Sequence, residues 1–317
     1  MRKSIALAGL IAAAIFLTCY SSCNNKKSSS GTAGADDSLK KVIERGSYLA
    51  NHVAVCMDCH SKRDTSLYSM PIIAGTEGGG AGFAFGKAEG IPGEVTAPNI
   101  TPFALKDWTD EEIIKTLTGG INKKGDTLFP IMPYPHYSGL AKEDVLAIVA
   151  YIRTLKPLES TVPARKFFIP AAMFGPLPAN DIAQNKIPDP SDKVKYGEYM
   201  INAAACMDCH TPMGPQGPDF SKAYSGGFVF DVPMFKVASS NITPDSATGI
   251  GTWTEEMFVS KFKNNSSAEV VNRKPGRENT YMPWSMYGKM KEEDLKAIYA
   301  YLRTIKPISN KVEKYPK

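Results

Sequence analysis

The pentapeptide Cys-Met-Asp-Cys-His occurs twice, at Cys56–His60 and at Cys206–His210, and it anchors a repeat that governs how the chain can fold. Gly46–Asn51 (GSYLAN) answers to Gly197–Asn202 (GEYMIN), and Asn-Ile-Thr-Pro stands at Asn99–Pro102 and Asn241–Pro244. DWTDEE from Asp107 answers to TWTEEM from Thr252, and the stretch from Met132 to Pro157 answers to that from Met282 to Pro307. The offset is 150 at the pentapeptide, 142 at Asn-Ile-Thr-Pro, 145 at the tryptophans and 150 again at the methionines. An offset that drifts and returns means loops of unequal length between fixed landmarks, which is the mark of a tandem duplication.

The pattern within each copy is helical. Ser38 can cap a helix through Ala50, and Thr109 with Glu112 forms a capping box for a second helix stopped by Gly119 and Gly120. Val145, Ile148, Ile152 and Leu155 make the apolar face of a last helix, and Leu295, Ile298, Leu302 and Ile305 repeat it. Little of the sequence alternates as strands do. Seven prolines between Pro157 and Pro190 forbid a long helix between the copies, while the apolar run Phe167–Leu177 predicts that this connection packs on a domain surface. The sequence therefore predicts an all-α chain with two tandem domains, 38–155 and 191–312, joined by a proline-rich linker, 156–190.

Of six cysteines, Cys19 and Cys23 lie in the N-terminal signal-like region and Cys56, Cys59, Cys206 and Cys209 lie in the two motifs, so none remains for a disulfide framework. Cys-x-x-Cys-His is the attachment signature of c-type haem: two thiols form thioethers with the vinyl groups, and the adjacent histidine is placed to bind iron. A zinc site would gather its two ligand pairs within one small module, and a redox dithiol gives no reason for His60 and His210. Two covalent haem c groups are the expected cofactors. Each iron needs a sixth ligand. Met132 lies 72 residues after His60 and Met282 lies 72 after His210, both in Met-Pro. A lone methionine is usually core filler, but two at equal spacing in repeats of otherwise unequal loops point to thioether ligation, which closes the iron to substrates. His136, whose counterpart is Met286, is the rival in the first copy, and Met286 and Met290 are the rivals in the second. Trp108 and Trp253 are candidate donors to haem propionates, with core burial the alternative. Gly46, Gly197, Tyr48, Tyr199, Tyr151 and Tyr301 read as helix-crossing and haem-packing residues. The glycines of Thr76–Gly86 read as loop rather than phosphate cradle.

At the N-terminus, Arg2 and Lys3 precede the 13-residue apolar run Ile5–Leu17, the length of a signal h-region and short of a bilayer span. Tyr-Ser-Ser-Cys and a polar run follow, which resembles a lipoprotein signal. Cys23 is the expected lipidated residue, with Cys19 second. Residues 1–22 are then a signal peptide, 23–37 a polar tether, and the mature chain an exported, periplasmic or cell-envelope protein held to a membrane by lipid. Losing Arg2 and Lys3 lowers the formal charge from +5 to +3, too little to argue for nucleic acid. Lys123, Lys124, Arg273, Lys274 and Arg277 precede the methionines and are candidates for steering an acidic partner.

The segments GEYMINAAACMDCH, NITPD…GTWTEE and MPWSMYGKMKEEDLKAIYAYLRTIKP resemble the class I cytochrome c domains in multihaem cytochrome subunits of membrane-associated alcohol, sugar and aldehyde dehydrogenases. The resemblance implies the cytochrome c fold, His/Met-ligated haem c, and electron transfer from a dehydrogenase donor towards a cytochrome or oxidase of a respiratory chain. That family commonly carries three haem motifs, where this chain shows two. The competing expectation is a dihaem peroxidase-like enzyme with one displaceable sixth ligand.

Overall fold

The computed structural model describes residues 30–81, 84–86, 91–174, 178, 181–215 and 217–317. The expected signal peptide, Cys19 and Cys23 lie outside the described residues. Leu39–Lys317 makes one compact unit.

The first repeat contributes α1 (Ser30–Tyr48), α2 (Cys56–His60), α3 (Pro102–Leu105), α4 (Asp110–Gly119), α5 (Tyr134–Tyr137) and α6 (Lys142–Thr154). The second contributes α7 (Lys193–Ala203), α8 (Cys206–His210), α9 (Glu255–Asn265), α10 (Ala268–Val271), α11 (Trp284–Tyr287) and α12 (Glu292–Leu302). Helix α1 starts eight residues before the Ser38 cap that the sequence suggests, so part of the expected tether is helical. No proline interrupts that stretch and Ala33 and Ala35 favour helix, so Ser38 becomes an interior residue. After Tyr48 the backbone widens into a π-helical turn, Leu49–Val53, leading to the first motif.

The capping box forms as expected: Glu112 N–H donates to Thr109 Oγ1 at 3.2 Å and Thr109 N–H to Glu112 Oε2 at 2.9 Å. Helix α4 ends on Gly120, whose φ of 66° suits glycine. In the second repeat Thr254 caps α9, but Met257 replaces the glutamate, leaving half a box.

The helices of each repeat pair by the same device. A Cβ on Gly46 would stand 1.8 Å from the Ala147 carbonyl oxygen, and one on Gly197 would stand 1.9 Å from that of Ala297. Only glycine lets α1 cross α6 and α7 cross α12 at this separation. The apolar faces beneath the crossings, Val145, Ile148 and Ile152 in α6 and Leu295, Ile298 and Leu302 in α12, are buried in one continuous core shared by both repeats.

Short strands, which the sequence reading did not foresee, brace the loops. β1 (Ala84–Phe85), β2 (Gly93–Thr96) and β3 (Lys166–Phe167) form a small antiparallel sheet. β4 (Met213–Gly214) pairs with β5 (Gly217–Pro218), and β6 (Val229–Val232) pairs with β7 (Phe235–Ala238). Through β3 the proline-rich segment lies against the first repeat. Phe167 and Phe174 pack on Phe129 with ring centroids 5.7 and 5.1 Å away, whereas Phe168 and Met173 stay exposed. The run thus covers the loop before Met132 with Phe167 and Phe174.

The two repeats meet through a reciprocal pair of contacts. Tyr199 O–H donates to Asp144 Oδ2 at 2.7 Å, and Tyr48 O–H donates to Asp294. Each tyrosine oxygen also accepts a backbone N–H from the other repeat, Ala141 to Tyr199 at 3.2 Å and Lys291 to Tyr48 at 3.0 Å.

Candidate functional site

Each Cys-Met-Asp-Cys-His segment forms a single short helix entered from a left-handed residue, Val55 at φ 43° before α2 and Ala205 at φ 49° before α8. A β-branched residue disfavours that conformation, so the surroundings impose it at Val55. The tie is visible. Tyr137 O–H, at the end of α5, donates to the Ala54 carbonyl at 2.9 Å, and Tyr287 O–H, at the end of α11, donates to that of Ala204 at 2.7 Å. In both repeats the Met-Pro segment is therefore fastened to the residue two places before the first cysteine.

The histidines are oriented alike. His60 Nδ1–H donates to the Pro98 carbonyl and His210 Nδ1–H to the Ser240 carbonyl, each at 2.7 Å. A carbonyl only accepts, so Nδ1 carries the proton and Nε2 is left as the ligating nitrogen. Burial holds both imidazoles below the ordinary histidine range, with the carbonyl bond opposing it, and the neutral ring is the form that binds a metal.

Those carbonyls come from the residue before each Asn-Ile-Thr-Pro, which gives the repeated tetrapeptide its purpose. Asn99 Oδ1 accepts from Thr101 N–H and Oγ1–H at 2.8 and 2.7 Å, and Asn241 Oδ1 accepts from Thr243 N–H and Oγ1–H at 2.9 and 2.7 Å. Their amide nitrogens donate to Leu158 O and Ile308 O, each at 2.7 Å, beyond the last helix of each repeat. Buried Asn-Thr turns thus fix the loops whose carbonyls orient the histidines.

Burial pushes the Cys56 and Cys206 thiols up to about 12. Among the described residues no three His, Cys, Asp or Glu side chains converge as a cation site. Paired thiols beside a Nε2-presenting histidine, in turn beside a tethered methionine segment, fit covalently attached haem. The buried Thr211 and Ser225 hydroxyls, which flank the His210 loop, have no partner among the described residues and can serve polar atoms of such a group.

Met132 and Met282 are half-buried and pack on the main core. His136 is engaged elsewhere: Nδ1 lies 2.7 Å from Asn202 Oδ1 and Nε2 lies 2.6 Å from Asp208 Oδ1, inside the second motif. Burial pulls its pKa down, but the Asp208 carboxylate outweighs that and leaves the pKa raised, with Asn202 assisting. His136 therefore bridges the repeats. Met286 and Met290 are buried core residues. Trp108 and Trp253 pack against the core, and neither indole N–H has a partner among the described residues. Two candidate steering residues are engaged internally: Lys123 pairs with Glu112 at 3.0 Å, and the Arg273 guanidinium lies 4.1 Å above the Tyr68 ring.

Residues 194–306 match the cytochrome c family. The chain carries a cytochrome c domain. The domain takes in α8, the His210 loop, Met282 and α12, which are the parts whose geometry the first repeat duplicates. Across a longer span, this chain is 30% identical to the cytochrome c subunit of the quinone alcohol dehydrogenase of Gluconobacter oxydans (strain 621H), over 74% of this chain and 49% of that one. It is 29% identical to the fructose dehydrogenase cytochrome subunit of Gluconobacter japonicus, over 83% of this chain and 52% of that one. It is 24% identical to a diheme cytochrome c-type protein of Cereibacter sphaeroides, over 80% of this chain and 82% of that one. The chain spans about half the length of the two dehydrogenase subunits. A cytochrome c domain implies covalently bound haem c, and its relatives are named as cytochrome subunits of dehydrogenases.

Proposed function

We propose that this chain is a dihaem cytochrome c of two tandem domains, about 38–155 and 191–312, which passes electrons from a dehydrogenase donor to a respiratory acceptor. The observation that carries the proposal is the duplicated histidine anchor. The first repeat, outside the matched stretch, holds His60 on Pro98 O as the second holds His210 on Ser240 O. In this reading Cys56, Cys59, Cys206 and Cys209 would form the thioethers, and His60, Met132, His210 and Met282 would ligate the irons. Haem supplies a one-electron iron couple when bound. The chain does the rest. The Asn-Thr turns hold each histidine tautomer, Tyr137 and Tyr287 hold each Met-Pro segment close to its cysteines, and the shared core limits rearrangement on electron transfer.

Quantifying haem as its pyridine complex decides the count. The expected result is two haems per chain, falling to one in Cys206→Ser/Cys209→Ser. One haem in the parent protein would overturn the dihaem reading. The fully reduced protein is expected to leave its visible spectrum unchanged under carbon monoxide, because both thioethers close the irons. A change worth one haem would favour the peroxidase-like reading.

The N-terminal pattern supports export and lipid attachment at Cys23 in a periplasmic or cell-envelope setting. Among the described residues no helix is long and apolar enough to cross a membrane. Metabolic labelling with a fatty acid is expected to mark the parent and not Cys23→Ser. Label lost only in Cys19→Ser would move the site.

A further inference from the structure

The loop Leu67–Met70 of the first repeat reaches into the second. Ser69 is 1% exposed and held at φ 64°, and Met70 follows at φ 48°. Two successive residues in the left-handed region, neither of them glycine, are a cost that surrounding contacts must offset. At Ser69 most of those contacts are with the second repeat. Ser69 Oγ–H donates to the Met282 carbonyl at 2.7 Å, and the same oxygen accepts the Trp284 N–H at 2.8 Å. Ser69 N–H donates to Asn279 Oδ1 at 2.8 Å, while Asn279 Nδ2 donates to Leu67 O at 3.1 Å. Tyr68 N–H donates to Arg273 O at 3.0 Å, and Tyr68 O–H donates to Asn265 at 3.1 Å. Met70 is buried among Phe230, Phe235 and Val237.

From behind, Arg63 grips the loop. It donates to Met70 O at 3.0 Å and pairs with Asp58, between Cys56 and Cys59, at 3.1 Å. A continuous polar chain thus runs from the first Cys-Met-Asp-Cys-His turn, through Arg63 and Ser69, to the backbone that carries Met282. The arrangement has no mirror image. Each methionine carbonyl accepts the N–H two residues on, Tyr134 to Met132 at 2.7 Å and Trp284 to Met282 at 2.8 Å, but among the described residues no side chain of the second repeat holds the Met132 carbonyl as Ser69 holds that of Met282.

We propose that Ser69 is a positioning residue for Met282, so that the first repeat sets the strength of the sixth ligand in the second. This rests on the reading of Met282 as an axial ligand. A hydroxyl that fixes both the Met282 carbonyl and the Trp284 amide immobilises the peptide planes on either side of Pro283. It narrows the positions that the Met282 sulfur can occupy. Removing it frees that turn from the first repeat and leaves the Trp284 N–H bond to the Met282 carbonyl, at 2.8 Å, without the hydroxyl that bridges it. The sulfur is then displaced more readily in the second repeat alone.

The test titrates ferric protein with imidazole and follows the far-red absorption band of thioether-ligated haem, in the parent, Ser69→Ala, Ser69→Gly and Met282→Ala. Met282→Ala identifies which half of the band belongs to the second repeat. Both Ser69 variants are expected to bind imidazole there about tenfold more tightly, from the loss of buried hydrogen bonds, with the first site unchanged. Ser69→Gly relieves the positive φ, so its agreement with Ser69→Ala assigns the effect to the hydroxyl and guards against a variant that fails to fold. Unchanged affinity at the second site in both variants would overturn the proposal while the ligand reading stands. Equal loosening at both sites would also overturn it, as global destabilisation. If Met282→Ala keeps the whole band, Met282 is not the ligand, and both readings fall together.

Discussion

Alanine at position 46 is expected to cost the protein about 4 kcal/mol or more, among the largest effects of any single methyl group in this chain. The added carbon would sit 1.8 Å from the Ala147 carbonyl oxygen and 2.4 Å from its carbon. Neither atom is the movable end of a side chain. Both belong to the backbone of α6, so relief requires α1 and α6 to separate along the crossing and to open the core beneath Leu49, Val145 and Ile148. Ordinary overpacking costs about 1–3 kcal/mol because side chains can yield, and here nothing comparable can. Gly197→Ala meets the Ala297 backbone in the same way and should cost a similar amount. Gly125→Ala is the control. Its φ is 85°, but nothing lies within 4 Å of an added Cβ, so only the strain of about 1 kcal/mol remains. Guanidinium unfolding of the full chain measures all three. A Gly46→Ala midpoint equal to that of Gly125→Ala would mean that the crossing does not depend on glycine.

These glycines show what was readable in advance. Gly46 and Gly197 stood out because the repeat placed them at matching points of two helices, and the crossing role follows from the absence of a side chain. The capping box at Thr109, the apolar faces of α6 and α12 and the two Cys-Met-Asp-Cys-His turns were legible for the same reason: each is a local pattern with one physical interpretation. The Asn-Ile-Thr-Pro pair was visible as a repeat but silent as to purpose. Its purpose lies in the preceding carbonyl, and any residue can supply a carbonyl. The β6–β7 hairpin had a weak signal in the alternation Val229, Phe230, Asp231, Val232, which four residues around a proline turn do not make decisive. The contacts between repeats were not legible at all. Asp144 and Ser69 are ordinary residues in their own segments, Tyr48 read as haem packing and His136 as a rival ligand, and partners such as Asp294, Tyr199, Asp208 and Met282 lie tens to hundreds of positions away. Hydrogen bonds of that separation leave no periodicity to detect. For His136 this matters most, since its place four residues after Met132 suggested a ligand, whereas its imidazole spans to the other repeat.

Asp144→Ala is the second large effect expected, at about 3 kcal/mol, and it should exceed that of the equivalent Asp294→Ala. Asp144 is 1% exposed and accepts from Arg45 Nε at 2.8 Å, Arg45 Nη2 at 2.7 Å and Tyr199 O–H at 2.7 Å. Removing the carboxylate leaves a guanidinium without its bidentate partner and a phenol without its acceptor, in the seam between the repeats. Arg45 keeps a quarter of its side chain in water and can turn outward, so the cost stays below that of a wholly buried charge. Asp294 accepts from Tyr48 across the seam, but the position matching Arg45 is Tyr196, and no cation is stranded by its loss. About 1–2 kcal/mol is expected there, because the Tyr48 and Tyr196 hydroxyls lose an acceptor but no charge is left unpaired. Urea unfolding of the two variants tests the ordering. Because the core runs without a break through both repeats, each variant should still unfold in a single transition at a lower midpoint. Equal losses would mean that Arg45 contributes nothing at this seam. A split into two transitions in Asp144→Ala alone would mean that this carboxylate, more than the shared apolar core, makes the two repeats fold as one.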